Sequence, residues 1–144
     1  MNVASILSEK GSDVFTMRPD ASLATAASEL STRRIGAVVL VDEAGRIAGI
    51  LSERDIVRVV GSRGEAGLSE RVADVMTKNV STCSESTSID ELMSLMTRGR
   101  FRHVPVVEAG RLVGLVSIGD VVKRRIAEAV QEAEHMRSYI AEAG

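Results

Sequence analysis

The sequence predicts an α/β (α+β) fold: two tandem β-α-β-β-α repeats packed sheet to sheet with pseudo-two-fold symmetry, followed by a long C-terminal helix. Three observations predict it: an internal duplication, paired β-branched runs joined by tight turns, and a terminal stripe of apolar residues at helical spacing. The duplication is read without a gap, since Ala44-Gly-Arg-Ile-Ala-Gly49-Ile-Leu-Ser52-Glu-Arg-Asp55-Ile-Val57 matches Ala109-Gly-Arg-Leu-Val-Gly114-Leu-Val-Ser117-Ile-Gly-Asp120-Val-Val122. Identities fall at Ala, Gly, Arg, Gly, Ser, Asp and the final Val, where unrelated sequence of ordinary composition gives roughly one. Dropping one residue in the turn aligns Ile35 to Val41 with Phe101 to Val107, and Val3 to Leu7 shares its apolar spacing with Val72 to Met76.

Each copy opens with a short apolar segment and a brief strand, Val14 to Met17 and Val80 to Cys83. A helix follows. In copy one it covers Ala21 to Arg33 with Leu23, Ala26, Ala27 and Leu30 on one face; in copy two Ile89, Leu92, Met93 and Met96 repeat that face behind a capping box of Ser88 and Glu91. Two β-branched runs then form a hairpin, Gly36 to Val41 with Ile47 to Leu51, and His103 to Val107 with Leu112 to Val116. Such continuous apolar strands are expected to be covered on both faces. Gly61 to Gly67 reads as a glycine-rich linker without a hydrophobic anchor. The expected boundaries are 1–61 for the first repeat, 62–69 for the linker, 70–126 for the second repeat and 127–144 for a helical extension. A unit of about 60 residues buries too little surface to be secure alone, so the pair is the folding unit. From Asp120 to Ala141 the apolar positions Val122, Ile126, Ala129, Ala133, Met136 and Ile140 form a heptad-like stripe. It suits either a helix lying on its own module or a self-association surface.

Composition removes several classes. With 144 residues, 44% hydrophobic and 26% charged, the chain has the balance of an ordinary globular protein. Its longest apolar stretch, Ala37 to Val41, is far too short to span a membrane, and no secretory signal is visible between Met1 and Asp13, so a cytoplasmic location is expected. One cysteine, Cys83, supports neither an internal disulfide nor a cysteine-based zinc site, and His103 and His135 have no ligand partners at metal-binding spacing. A net charge of −2 and only Phe15, Phe101 and Tyr139 as aromatics argue against nucleic acid. Neither a nucleophile elbow nor a P-loop is present, so no catalytic residue and no catalytic cofactor is expected.

The chemistry lies in the repeated Gly-h-h-Ser-x-x-Asp, where h is apolar, at Gly49 to Asp55 and Gly114 to Asp120. At a helix start Ser-x-x-Asp is a capping box, and a single example needs no further role. Here the element occurs twice, each time after a strand. A helix N-terminus with a hydroxyl suits a phosphate, and a carboxylate one turn in can accept hydrogen bonds from ribose hydroxyls. Cap and nucleotide site are both open on these residues alone.

With Ile35-Gly-Ala-Val-Val-Leu-Val-Asp42 and Phe101-Arg-His-Val-Pro-Val-Val-Glu108 each preceding that element, the chain resembles the CBS-domain family from about Val3 to Ile126, as a stand-alone tandem pair (Bateman module) of bacterial type. The resemblance implies two clefts between the repeats that bind adenosine-containing ligands, AMP first, then NAD or ATP, with S-adenosylmethionine in the same class, sensed without turnover. Carried over, Ser52 and Asp55 hold phosphate and ribose in one cleft, with Phe101, Arg102 and His103 lining the base. The other cleft uses Ser117 and Asp120 with Ile35, Gly36 and Ala37, plus Thr16 and Pro19 from the loop after the first strand. The sequence departs from the family pattern where Val39 stands opposite Pro105 and Glu85 opposite Pro19. The other basic residues within reach of a phosphate are Arg33, Arg34, Arg58, Arg98, Arg100, Lys123, Arg124 and Arg125, each by itself more often a solvated surface charge. The expected partners are the small molecule, a second copy in a homodimer, and a regulated protein on another chain. A ligand-free dimerisation module is the competing expectation.

Overall fold

The structure is a computed structural model that describes residues 1–143. In chain order the elements are α1 (Val3–Lys10), β1 (Thr16–Met17), α2 (Leu23–Arg33), β2 (Ala37–Val41), β3 (Ile47–Ser52), α3 (Glu53–Arg63), α4 (Ile89–Gly99), β4 (His103–Glu108), β5 (Arg111–Ser117) and α5 (Ile118–Ala143). This is the mixed α/β duplication the sequence predicts. The first sheet runs β1-β2-β3, with β1 parallel and β3 antiparallel to β2; the second is the antiparallel pair β4-β5. Strand β2 is buried from Ala37 through Leu40, as a strand covered on both faces must be. The β4-β5 turn is two residues, Ala109 and Gly110, both at positive φ (50° and 76°), the backbone that matches strand twist in a tight hairpin.

Two separate cores form, one per repeat, and each recruits a segment from the other half. Val3, Ile6 and Leu7 of α1 pack with Ile89, Leu92, Val104, Val106 and Val116 in the second core. Val72, with Val75 and Met76 beside it, packs with Leu23, Leu40 and Leu51 in the first. The exchange is pinned by equivalent backbone bonds. Val3 and Ala4 N–H donate to the carbonyls of Thr87 and Glu85, while Val72 and Ala73 N–H donate to those of Ala21 and Pro19. Pro19 and Glu85, which differ between the copies, therefore do the same work through their carbonyls. The apolar segments that open each copy thus belong, by packing, to the opposite one.

Several elements differ from expectation for identifiable reasons. The strand expected at Val80 to Cys83 shrinks to one parallel bridge between Cys83 and Val106, in which Cys83 N–H donates to Pro105 O and Val107 N–H to Cys83 O. The next rung toward Ser81 needs the N–H that Pro105 lacks. On α4, Leu95 packs on the core where Met93 was expected; Met93 faces solvent. Ser88 accepts the Glu91 N–H at 3.1 Å, half of the expected capping box. The segment read as a free linker is ordered: α3 continues to Arg63, 3-10 turns cover Gly64–Ser69 and Val72–Asp74, and Gly67 is buried under Val59. An ion pair between Arg63 and Glu70 closes this turn.

Helix α5 begins on the second core through Val121, and Arg125 ties it to Asp90 of α4. With 26 residues it is about 39 Å long and runs past the module. Val122, Ile126, Ala129, Ala133, Met136 and Ile140 are all exposed, so the stripe does not lie on its own repeat. The last residue of the expected 127–144 extension lies outside the described residues.

Candidate functional site

The seam between the repeats holds a cavity of about 390 Å³ at the N-terminus of α3. Ser52 ends β3 in an extended conformation and caps α3, and the cap is reciprocal. Asp55 N–H donates to Ser52 Oγ at 3.3 Å, while Asp55 Oδ2 accepts the Ser52 N–H at 2.9 Å and the Ser52 hydroxyl at 3.1 Å. Asp55 is 8% exposed, the one charged residue among the buried described residues, and its Oδ1 faces Arg58 Nη1 at 3.2 Å. The capping reading of Ser-x-x-Asp is therefore structurally correct. It does not exhaust the element, because both side chains also line the cavity.

From the second repeat come Phe101, Arg102 and His103, so the five residues expected in this cleft meet there. Gly36 and Ala37, expected in the other cleft, line this cavity as well. The starts of β2 and β4 face each other at the seam: a Cβ added to Gly36 would stand 3.1 Å from His103 Cε1. Sequence reasoning missed Thr77, Asn79, Val80 and Ser81, which reach the cavity because Thr77 pairs with Ile50 through two backbone bonds of 2.9 and 3.0 Å. The Val72 to Met76 spacing signals a buried segment but not the repeat it packs against, so it did not point to these residues. Glu53 and Arg54 were also missed.

Four arginines, Arg54, Arg58, Arg100 and Arg102, and two acidic residues, Glu53 and Asp55, line the cavity, and Arg58 is paired with Asp55. With the positive end of α3 this makes a lining suited to an anion. Burial pushes the His103 imidazole below its ordinary value, against the opposing pull of Glu53, so the ring is neutral at neutral pH.

At the second Ser-x-x-Asp the contacts differ. Asp120 Oδ2 accepts the Ser117 N–H at 2.8 Å and Asp120 N–H donates to Ser117 Oγ at 3.2 Å, but the same Oδ2 also meets Lys10 Nζ at 2.7 Å. Lys10 further donates to the Leu115 carbonyl at 2.8 Å. Burial alone pushes the Asp120 carboxyl up, yet the Lys10 ammonium and the Ser117 N–H together hold it below the usual carboxylate value. The cavity here is about 60 Å³, and Ile6, Glu9, Lys10, Asp120, Lys123 and Arg124 line it. None of Ser117, Ile35, Gly36, Ala37, Thr16 or Pro19 does. Thr16 is taken up by pairing with Val39, the Pro19 carbonyl by Ala73 N–H, and Ile35 by the first core.

Cys83 is half-buried, and burial pushes its thiol up to about 11, which keeps it protonated and unreactive. Among the described residues no His, Cys, Asp and Glu group could hold a metal ion, and no helix is long and apolar enough to cross a membrane.

Comparison with known proteins agrees with this architecture. The CBS domain family model matches residues 3–62 and again 72–127. A CBS-domain containing protein of known structure from Agrobacterium tumefaciens is 50% identical with a TM-score of 0.85, over 87% of this chain and 99% of that one. The CBS domain pair of protein MJ0100, solved in complex with 5-methylthioadenosine and S-adenosyl-L-methionine, is 26% identical with a TM-score of 0.80, over 89% of this chain and 98% of that one. The mitochondrial CBS domain-containing protein CBSX3 of Arabidopsis thaliana is 34% identical over 125 residues, 84% of this chain and 61% of that relative. The chain spans two thirds or less of the length of the curated relatives it matches.

Proposed function

Because this chain belongs to the CBS domain family, we propose that it is a regulatory sensor that binds an adenosine-containing nucleotide in the cleft between its repeats and performs no catalysis. One observation carries the reading: a cavity of about 390 Å³ is shared by the hydroxyl and carboxylate of Ser52 and Asp55 from one repeat and by Phe101, Arg102 and His103 from the other. That volume falls in the range of small-molecule sites. The four arginines suit phosphate, the Asp55 side suits ribose, and Phe101 with His103 offers a flat wall to a base. AMP is the first candidate, with NAD or ATP next. The binding of S-adenosyl-L-methionine and 5-methylthioadenosine by a similar pair supports the adenosine class. A ligand that touches both repeats binds best when they are held together, and that difference in affinity is what moves a regulated partner chain. The cytoplasm, where a lone thiol stays reduced, is the proposed setting.

Thermal unfolding with AMP, ATP, NAD and S-adenosyl-L-methionine tests the reading. A ligand present at 100 times its dissociation constant should stabilise the chain by about 2.7 kcal/mol. Absence of a shift with all four would refute it.

The exposed stripe on α5 favours a second role, a homodimer. Arg124 and Arg125 of its first turns are paired within the chain with Glu9, Asp90 and Glu128, which leaves Lys123 there and Glu132, Glu134, Arg137 and Glu142 in the later turns. An antiparallel second copy therefore sets Lys123 of one chain toward the net acidic end of the other. Dimerisation accompanies nucleotide binding in this reading, and would stand alone as a structural function if no nucleotide binds.

A further inference from the structure

We propose that the chain takes one nucleotide and not two, because its second cleft is filled by side chains of the chain itself: Lys10 on Asp120, and Arg33 stacked on Phe15. The inference rests on the nucleotide reading of the first cleft and adds a count and a cause.

The pseudo-two-fold axis identifies equivalent positions. Gly49 lies under Met76 and Gly114 under Leu7, which makes Leu7 the counterpart of Met76. Three residues on, Lys10 ends a helix where Asn79 follows the bridged Thr77, so these two correspond in sequence register. Met17 pairs with Leu40 as Cys83 does with Val106, which makes Phe15 the counterpart of Ser81. Helices α2 and α4 end at Arg34 and Arg100, both left-handed (φ 55° and 57°), so the preceding Arg33 is the counterpart of Gly99. Three residues that line the open cavity, Asn79, Ser81 and Gly99, are thus replaced across the axis by Lys10, Phe15 and Arg33. Two of the open cleft's residues are very small; their replacements are among the largest side chains.

The replacements are also anchored. Lys10 Nζ lies 2.7 Å from Asp120 Oδ2 and 2.8 Å from the Leu115 carbonyl. The ammonium shares the oxygen that accepts the Ser117 N–H, so a cation of the chain itself sits on this carboxylate. The Arg33 guanidinium lies 3.6 Å over the Phe15 ring, and Glu29 holds it at 2.8 Å. Ile6 and Leu7 one turn earlier are buried in the second core, which fixes the backbone from which Lys10 reaches Asp120. Beside Lys10 and Asp120 lies a cavity of about 60 Å³, lined also by Ile6, Glu9, Lys123 and Arg124, which is too small for a nucleoside.

Native mass spectrometry and calorimetry on the full chain, with AMP, ATP, NAD and S-adenosyl-L-methionine as probes, test the proposal. One ligand per chain is expected; Asp55→Asn should lose it and Asp120→Asn should keep it. The variant carrying Lys10→Asn, Phe15→Ser and Arg33→Gly, which copies the open cleft into the closed one, should bind two. Two ligands on the wild type, or loss of the ligand in Asp120→Asn, overturns the proposal while leaving the chain a nucleotide binder. A folded triple variant that still binds one overturns the assignment of these three residues as the closure. If that variant fails to fold, the wild-type count and the Asp120→Asn result decide alone. No ligand on the wild type rejects the reading of the first cleft and the count of one together.

Discussion

Leu7 sits directly on Gly114: a Cβ placed on that glycine would stand 2.7 Å from Leu7 Cδ2, and the equivalent Cβ on Gly49 would stand 2.6 Å from Met76 Sδ and 2.8 Å from the Thr77 carbonyl oxygen. The glycine that opens each Gly-h-h-Ser-x-x-Asp element is therefore the seat of the segment exchanged from the other repeat. Neither glycine has a positive φ, so the requirement is for space and not for backbone freedom.

Gly49→Ala and Gly114→Ala should each destabilise the fold by about 1–3 kcal/mol, the usual cost of overpacking. Gly49→Ala should cost more, because one obstructing atom is a backbone carbonyl and not the end of a flexible side chain. Urea denaturation of both variants checks the order, and two neutral substitutions would remove the argument.

The reciprocal cap at Ser52 and Asp55 means that removing either side chain perturbs both folding and binding, so the substitution has to be chosen to separate them. Ser52→Ala should cost about 1 kcal/mol through loss of the cap. Asp55→Asn keeps an oxygen that can accept the Ser52 N–H, so it should hold the fold while lowering AMP affinity at least about tenfold, the effect of some 1.4 kcal/mol. Calorimetry beside a melting curve measures the two effects independently; unchanged affinity in a folded Asp55→Asn protein would leave the carboxylate as a cap alone.

His103 gives the cleft a pH dependence with a defined sign. Burial holds its folded value below the ordinary one of about 6.5, so the unfolded chain takes the proton first as pH falls. The stability linked to this group is present above about pH 6.5 and is lost as pH falls through that value toward the lower folded one. With the ring against the base, AMP and adenosine should share the same dependence on pH; a ring facing the phosphate would be favoured as the imidazolium, and AMP alone would then bind more tightly as pH falls. Titrations of AMP into wild type and His103→Gln separate the ring from the titration of the phosphate; equal slopes would place the imidazole away from the phosphate.

On α5, Ile126 and Ile140 are 60% and 64% exposed, so charge there disturbs no packing within the chain. The double variant Ile126→Glu with Ile140→Glu should be monomeric by light scattering where the wild type is dimeric, with its unfolding midpoint at low concentration unchanged. A wild type that stays monomeric at high concentration would rule out the homodimer.

The duplication, both hairpins and the helices before them were legible in the residues, because each depends on local periodicity, on turn chemistry or on an element repeated at a fixed spacing. The meeting of Ser52 and Asp55 with Phe101, Arg102 and His103 was expected only from the family resemblance. What was not legible depends on which half a segment packs against. Val3 to Leu7 and Val72 to Met76 announce their burial by spacing but not their address, and from that address follow the pairing of Thr77 with Ile50 and the arrival of Asn79 and Ser81 in the cleft. The lost strand before Cys83 could have been inferred from Pro105, whose missing N–H was in view; its register against Cys83 was not.

By itself the sequence determined that there are two copies, what each is made of, and that each presents a hydroxyl and a carboxylate at the start of a helix, because backbone preference and apolar periodicity act over a few residues. Only the tertiary structure decided which side chains meet at each of these two corners. Whether Lys10 lies on Asp120, or Asn79 lines an open cavity, depends on side chains that are 110 and 24 residues from the carboxylate they face along the chain, and distance along the chain says nothing about distance in space.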